Sequence, residues 1–169
     1  VAAIPEIKVP DTKIFKVDYV DQLNALDKGV SEEIKKVVEE IKAVGKEWGY
    51  PLFIKNSLFS GKHSWKHTCF VEKEEDILNH FLALTDMGYA FGVDECLYWV
   101  VRKYLKPNAL IFTDMDMPVT FERRYFVEDG KVTFHHPYWP PHSLKNQGPT
   151  PENWEELLVI TNHESDEEI

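Results

Sequence analysis

The sequence predicts an α+β fold in which antiparallel sheets carry flanking helices. Three observations lead there. A long amphipathic helix signal precedes two short apolar strands around a polar loop. A second helix signal then precedes a third, strongly apolar strand. Further on, strand-like runs flank Glu128-Asp129-Gly130, where Asp-Gly is a strong hairpin dipeptide. Helices and strands in unequal blocks suit an α+β sandwich better than a doubly wound parallel sheet.

Taken in order, residues 13–20 alternate apolar and polar side chains like a strand, between Pro10-Asp11 and the turn signal Asp27-Lys28-Gly29. Ser31 is placed as an N-cap, with Glu32 and Glu33 where carboxylates suit the helix dipole. Ile34, Val37, Val38, Ile41, Val44 and Trp48 recur at helical spacing, and Gly49 is placed to end that helix. Residues 52–55 form a short buried-strand signal, and the polar stretch Asn56 to His67 is neither helix nor clean strand. Residues 68–72 predict a second strand. Glu74 to Thr85 predicts a helix, with Ile77, Leu78, Phe81 and Leu82 on one face. Cys96 to Val101 predicts an apolar strand leading into Arg102-Lys103-Tyr104-Leu105, and Ala109 to Phe112 is weakly strand-like. Thr120 to Val127 and Lys131 to Phe134 are the arms of the Asp-Gly hairpin. Pro137 to Pro151 is a loop rich in Pro and Gly, 154–160 is a last helix or strand, and an acidic tail follows. The expected domains are an N-terminal extension over 1–29, one main domain over 30–160 and the tail over 161–169.

The 169 residues are 43% hydrophobic and 28% charged, which excludes a disordered or fibrous chain. A net charge of −10 argues against a general binder of nucleic acid or anionic membrane, because such binding needs positive surface to displace counterions. Cys69 and Cys96 are too few for a disulfide framework and read as reduced thiols. With no signal peptide and no apolar run near the ~20 residues of a membrane span, the expectation is a cytoplasmic protein.

Three segments could carry chemistry. Lys55 ends an apolar strand, where an unpaired ammonium is costly to bury. The loop after it places Gly61, several hydroxyls, Lys62 and Lys66 in one turn, offering an anion backbone N–H groups and countercharge. It lacks the GxxxxGK[ST] spacing and following helix of a Walker A loop. An exposed lysine-rich hairpin is the plainer alternative. In the second segment, alternation sets Glu122, Arg124 and Phe126 on one strand face, and a guanidinium fork suits phosphate oxygens. A cross-strand ion pair is the alternative there. In the third, Trp99 to Leu105 turns from apolar to polar at a strand end, as a flat purine pocket would, or as any core strand would. His63, His67 and Cys69, with Cys96 elsewhere, could hold zinc, although the spacing fits no standard finger or ribbon.

In this order the segments resemble the ATP-grasp superfamily, and within it the clade named for one arginine and two lysines. The matching residues are Phe53-Ile54-Lys55, Ser60-Gly61-Lys62-His63-x-Trp65-x-x-Thr68-Cys69 and Val100-Val101-Arg102-Lys103-Tyr104-Leu105. They continue with Glu122-x-Arg124-x-Phe126-Val127, Asp129-Gly130-Lys131-Val132 and Tyr138-Trp139, so that residues 50–140 are spanned. The resemblance implies an ATP-grasp-like fold and an ATP site in which Lys55 contacts the phosphates, with adenine as an alternative contact, from its strand. Lys62, with the Ser60-Gly61 backbone, would cover them from a mobile loop. Val101, Arg102, Lys103 and Tyr104 would be the hinge holding adenine. Arg124, beside Glu122, would reach the terminal phosphate or an acyl-phosphate. Lys62 and Arg124 would thus be the catalytic pair of an ATP-dependent carboxylate–amine ligase acting on a peptide or protein. The alternatives are a nucleotide-binding module without catalysis and a partner-binding domain. Relatives hold Mg²⁺ on late acidic strands, whereas residues 162–168 do not read as such a strand, so no magnesium ligand is identified.

Overall fold

The first element in the computed structural model, which describes residues 9–93, 95–107, 109, 111–113, 116–120, 122–129 and 131–139, is strand β1 (Thr12–Lys16). The expected strand over 13–20 stops there because Asp18 caps a helix. Its carboxylate accepts the backbone N–H groups of Val20 at 2.9 Å and Asp21 at 3.2 Å, and α1 (Tyr19–Asp27) follows. The core-facing residues of α1 are Gln22 and Ala25, so its apolar stripe is too weak to show in the sequence.

Helix α2 (Glu32–Trp48) is the one the spacing predicts. Ser31 Oγ accepts the N–H of Ile34 at 3.2 Å, Ile34, Val38, Ile41 and Val44 are buried, and Gly49 closes the helix at a φ of 82°. Strand β2 (Leu52–Asn56) then leads through a 3-10 turn (Lys62–His67) to the short strand β3 (Phe70–Val71), which occupies only part of the expected 68–72. A second 3-10 turn (Glu74–Asp76) precedes α3 (Ile77–Ala90). This helix starts later and runs further than expected, passing Gly88, which is buried beside Asn56. Strand β4 (Tyr98–Lys103) begins two residues beyond the expected start and takes in Arg102 and Lys103.

These strands form one antiparallel sheet in the order β1-β4-β2-β3. Thr12 pairs with Arg102 and Lys16 with Tyr98, while Leu52 pairs with Lys103 and Asn56 with Trp99. Alternation then sorts the side chains. Leu52, Ile54, Val71, Trp99 and Val101 face the core with Ile34, Ile41, Ile77, Phe81 and Leu84, and all are buried. Phe53, Lys55, Phe70, Tyr98, Val100 and Arg102 take the opposite face. On the core face the Phe81 and Trp99 rings stack at 4.0 Å and 6°, an arrangement that adds ~0.5–1.5 kcal/mol beyond the area buried.

Gln22, fully buried, is the polar centre of that core. Its Nε2 donates to the carbonyls of Val17 at 3.1 Å and Cys96 at 2.6 Å. Its Oε1 accepts from Trp99 Nε1 at 2.9 Å and Thr85 Oγ1 at 3.2 Å. One side chain thereby joins α1, α3, β4 and the segment leading into β4.

The chain forms two compact units, Val1–Lys106 and Pro107–Ile169. The boundary expected at residue 29 falls inside the first, because β1 is a strand of the common sheet. In the second, β5 (Ile111–Phe112) pairs with β6 (Pro118–Val119), and β7 (Arg123–Glu128) pairs with β8 (Lys131–Pro137). The hairpin expected at Asp129 forms, with Asp129 at a φ of 51°. The loop to Pro151 beyond residue 139, the element expected at 154–160 and the acidic tail lie outside the described residues. No helix among the described residues is long and apolar enough to cross a membrane.

Candidate functional site

The sheet face turned away from the helices carries two cations on its central strands. Phe53 pairs with Arg102 and Lys55 with Val100, so Lys55 and Arg102 are diagonal neighbours on one face. Both are half-buried. Neither has an ion pair or hydrogen bond through its side chain among the described residues, and Arg102 Nε is buried with no partner. On the other, helix-facing side Asp11 lies 4.0 Å from Lys103, and Glu47 holds Lys13 at 2.9 Å. In a chain of net charge −10, this pair of cations stands without a carboxylate partner among the described residues.

The lysine turn beside this face is firmly tied. Asn56, buried at the end of β2, accepts the N–H of Leu58 at 3.1 Å and that of Phe59 through Oδ1, which sets the chain's first bend. Thr68 closes the other end, its hydroxyl bonding the carbonyls of Gly61 at 2.7 Å and Ser64 at 2.9 Å. Gly61 adopts a φ of 60°, and a Cβ there would come within 2.8 Å of Leu84 Cδ2. Trp65, buried, tilts against Phe53 at 5.9 Å and stacks on Phe70 at 5.4 Å, both on the cation-bearing face. The loose covering loop expected from the resemblance is therefore a pinned turn. Lys62 stands half-buried at its start, with Ser60 half-buried and Gly61 buried before it.

The expected hinge divides. Val101 is fully buried and faces the helices, away from Lys55. Strand β4 is paired on both sides, with β1 and β2, from Trp99 to Arg102, and the N–H of Lys103 donates to the Asp11 carbonyl at 2.9 Å. The backbone of Val101 and Arg102 and the N–H of Lys103 are thus engaged by the neighbouring strands. Tyr104, just past the ladder, packs edge-on against Phe70 at 5.1 Å, and burial pushes its phenol pKa up.

Arg124 belongs to the second unit. Exposed on β7 opposite His136, it lies with its guanidinium carbon 4.5 Å over the Tyr138 ring. Glu122 precedes the strand, and its carbonyl accepts the N–H of Tyr138 at 2.7 Å. This bond fixes the aromatic on which Arg124 rests. The sheet of the first unit brings Lys55 and Arg102 together, with the tied turn carrying Lys62 alongside.

Cys69 is fully buried beside the Trp65 carbonyl, and burial pushes its thiol up to about 12, so it is no nucleophile at neutral pH. Among the described residues no three His, Cys, Asp or Glu side chains gather where they could hold a metal ion. The structure adds two positioning residues that sequence reasoning missed, Gln22 and Asn56, and gives Thr68 of the matching stretch the role of closing the turn. The placement of Asn56 directly after a strand and two residues ahead of Leu58 is an Asx-turn signal that could have been read. Gln22 had none. Comparison with protein-family models, with curated proteins and with solved structures returns no match.

Proposed function

We propose that this chain is an ATP-binding protein of ATP-grasp-like fold, in which the face bearing Lys55 receives the triphosphate. One observation carries the proposal: Lys55, half-buried on a central strand, lacks any anionic partner among the described residues while facing a second unpaired cation. An ammonium held so is costly until an anion arrives. Lys62 and the Ser60-Gly61 backbone supply a second contact, and Tyr104 with the backbone after it meets adenine.

The activity proposed for this site is carboxylate–amine ligation on a peptide or protein. A carboxylate oxygen attacks the γ-phosphorus as the bond to the β-phosphate oxygen breaks and ADP leaves. An amine then attacks the acyl carbon, losing a proton as phosphate departs. The protein's task is positioning and charge neutralisation, which cationic side chains perform. The described residues offer no acidic cluster for magnesium, and no step above is routed through a protein-held metal.

Thermal denaturation with Mg-ATP tests this. At 100 times its Kd, ATP adds roughly 2.7 kcal/mol, which raises Tm by about 5–10 °C for a chain of this length. Lys55→Ala is expected to abolish the rise. A shift that survives Lys55→Ala removes Lys55 from the site, and no shift in the unaltered chain leaves a partner-binding domain. ATP binding without ADP release across candidate acids and amines assigns a nucleotide-binding module without catalysis.

A further inference from the structure

We infer that Lys55 and Arg102 form a two-point clamp for polyphosphate, so that Arg102 serves the phosphates rather than the purine. The inference deepens the ATP reading and rests on it for the part played by Lys55. It starts from the ladder: Phe53 opposite Arg102 and Lys55 opposite Val100 set the two cations one step apart on adjacent strands and on one face. Strand β4 is central, flanked by β1 and β2, so Arg102 cannot swing its stem around a sheet edge. Its Nε is shut off from water and unbonded, a condition under which a guanidinium ordinarily has a carboxylate or phosphate.

The surroundings select the ligand. Across its row Arg102 meets Thr12 on one side, whose hydroxyl donates to the Pro10 carbonyl at 2.9 Å, and Phe53 and then Phe70 on the other; none of these is an anion, and the nearby Trp65 and Tyr104 rings are packed against Phe70. Guanidinium and ammonium groups only donate. Their ligand must therefore present acceptors alone, to both groups, and carry enough charge to offset two cations. A purine edge mixes donors with acceptors. A small monoanion meets one cation and leaves the other unpaired. A chain of phosphates meets both requirements, with the planar fork taking two oxygens of one phosphate and the ammonium taking the next.

Titration calorimetry of the full chain with sodium tripolyphosphate and with ATP, at fixed ionic strength, tests the clamp. Arg102→Met is expected to weaken both ligands at least tenfold and by similar factors. Arg102→Lys, which keeps the charge and loses the fork, is expected to fall between that variant and the unaltered chain. Lys36→Met, on the exposed side of α2, removes an equal charge and is expected to change neither. Loss of ATP affinity with tripolyphosphate affinity intact would place Arg102 on the nucleoside and overturn the clamp. Full binding of both by Arg102→Met, with Lys55→Met inactive, would also overturn it and leave the ATP reading standing. Failure of the unaltered chain to bind either ligand would sink both. Should Arg102→Met not fold, phenylglyoxal modification of the unaltered chain decides. Tripolyphosphate is expected to slow labelling of the Arg102 peptide in mass spectra, and unslowed labelling rejects the clamp.

Discussion

The two faces of the four-stranded sheet use alternate residues of the same strands and treat polar groups in opposite ways. On the helix-facing side Gln22 is fully buried and every hydrogen-bonding atom of its amide that bonds has found a strong partner: two carbonyls, an indole and a hydroxyl. On the other side Lys55 and Arg102 sit diagonal to one another with no counter-charge among the described residues. A satisfied buried polar group holds a fold together, because removing any one partner strands the others. Partly buried charges left unsatisfied cost stability and are kept where a ligand completes them. With the proposed function, the contrast sets a structural face against a proposed binding face.

The largest expected effect tests the structural face. Gln22→Leu keeps the volume and leaves Trp99 Nε1 and the Val17 and Cys96 carbonyls without their partner, and is expected to cost about 3–5 kcal/mol in urea unfolding. A cost under about 1 kcal/mol would show that water or repacking replaces the amide.

A smaller effect of opposite sign is expected on the binding face. Lys55→Met removes one of two facing cations and should raise stability by about 0.5–1 kcal/mol without ligand, while removing the response to ATP. If Lys55→Met instead lowers stability by more than about 1 kcal/mol, the ammonium holds the fold and the contrast between faces breaks.

The smallest effect concerns the turn that touches both faces. His80 Nδ1 lies 3.1 Å from the Thr68 carbonyl, and burial lowers the ring's pKa from 6.5. Above that value the ring is neutral in the folded and unfolded chain, and contributes nothing to the pH dependence. As pH falls through 6.5 the unfolded chain takes up the proton first, so stability declines until the lower, folded pKa is passed. His80→Asn, which keeps a donor near Nδ1, should therefore lose less stability than the unaltered chain between pH 7 and 5. Equal urea midpoints for the two chains at both pH values would mean that His80 is solvated.

Much of the helix and strand order was legible. Ser31 with the stripe from Ile34 to Trp48 announces α2, and Asp129-Gly130 announces the β7–β8 hairpin, because each depends on residues within one turn of chain. Helix α1 was missed because a glutamine occupies its core-facing position, where an apolar residue would have shown the period. The site was legible in part. Lys55 stood out as a cation ending an apolar strand, and Arg102 was noticed as a strand-end residue but assigned to the purine. Its relation to Lys55 depends on the register of β2 against β4, and the two strands lie more than forty residues apart in the chain.

The sequence by itself determined the local elements, the acidic balance and the presence of lysines and arginines on strands and a glycine turn. Propensity, capping and alternation act over a few residues and leave their record in neighbouring letters. Only tertiary structure decided that β4 is central, that Val101 and Arg102 face opposite ways into core and binding face, and that the lysine turn is tied down by Asn56 and Thr68. Those outcomes come from strand pairing and the satisfaction of buried polar groups, which are settled between distant segments by the competition for one shared core.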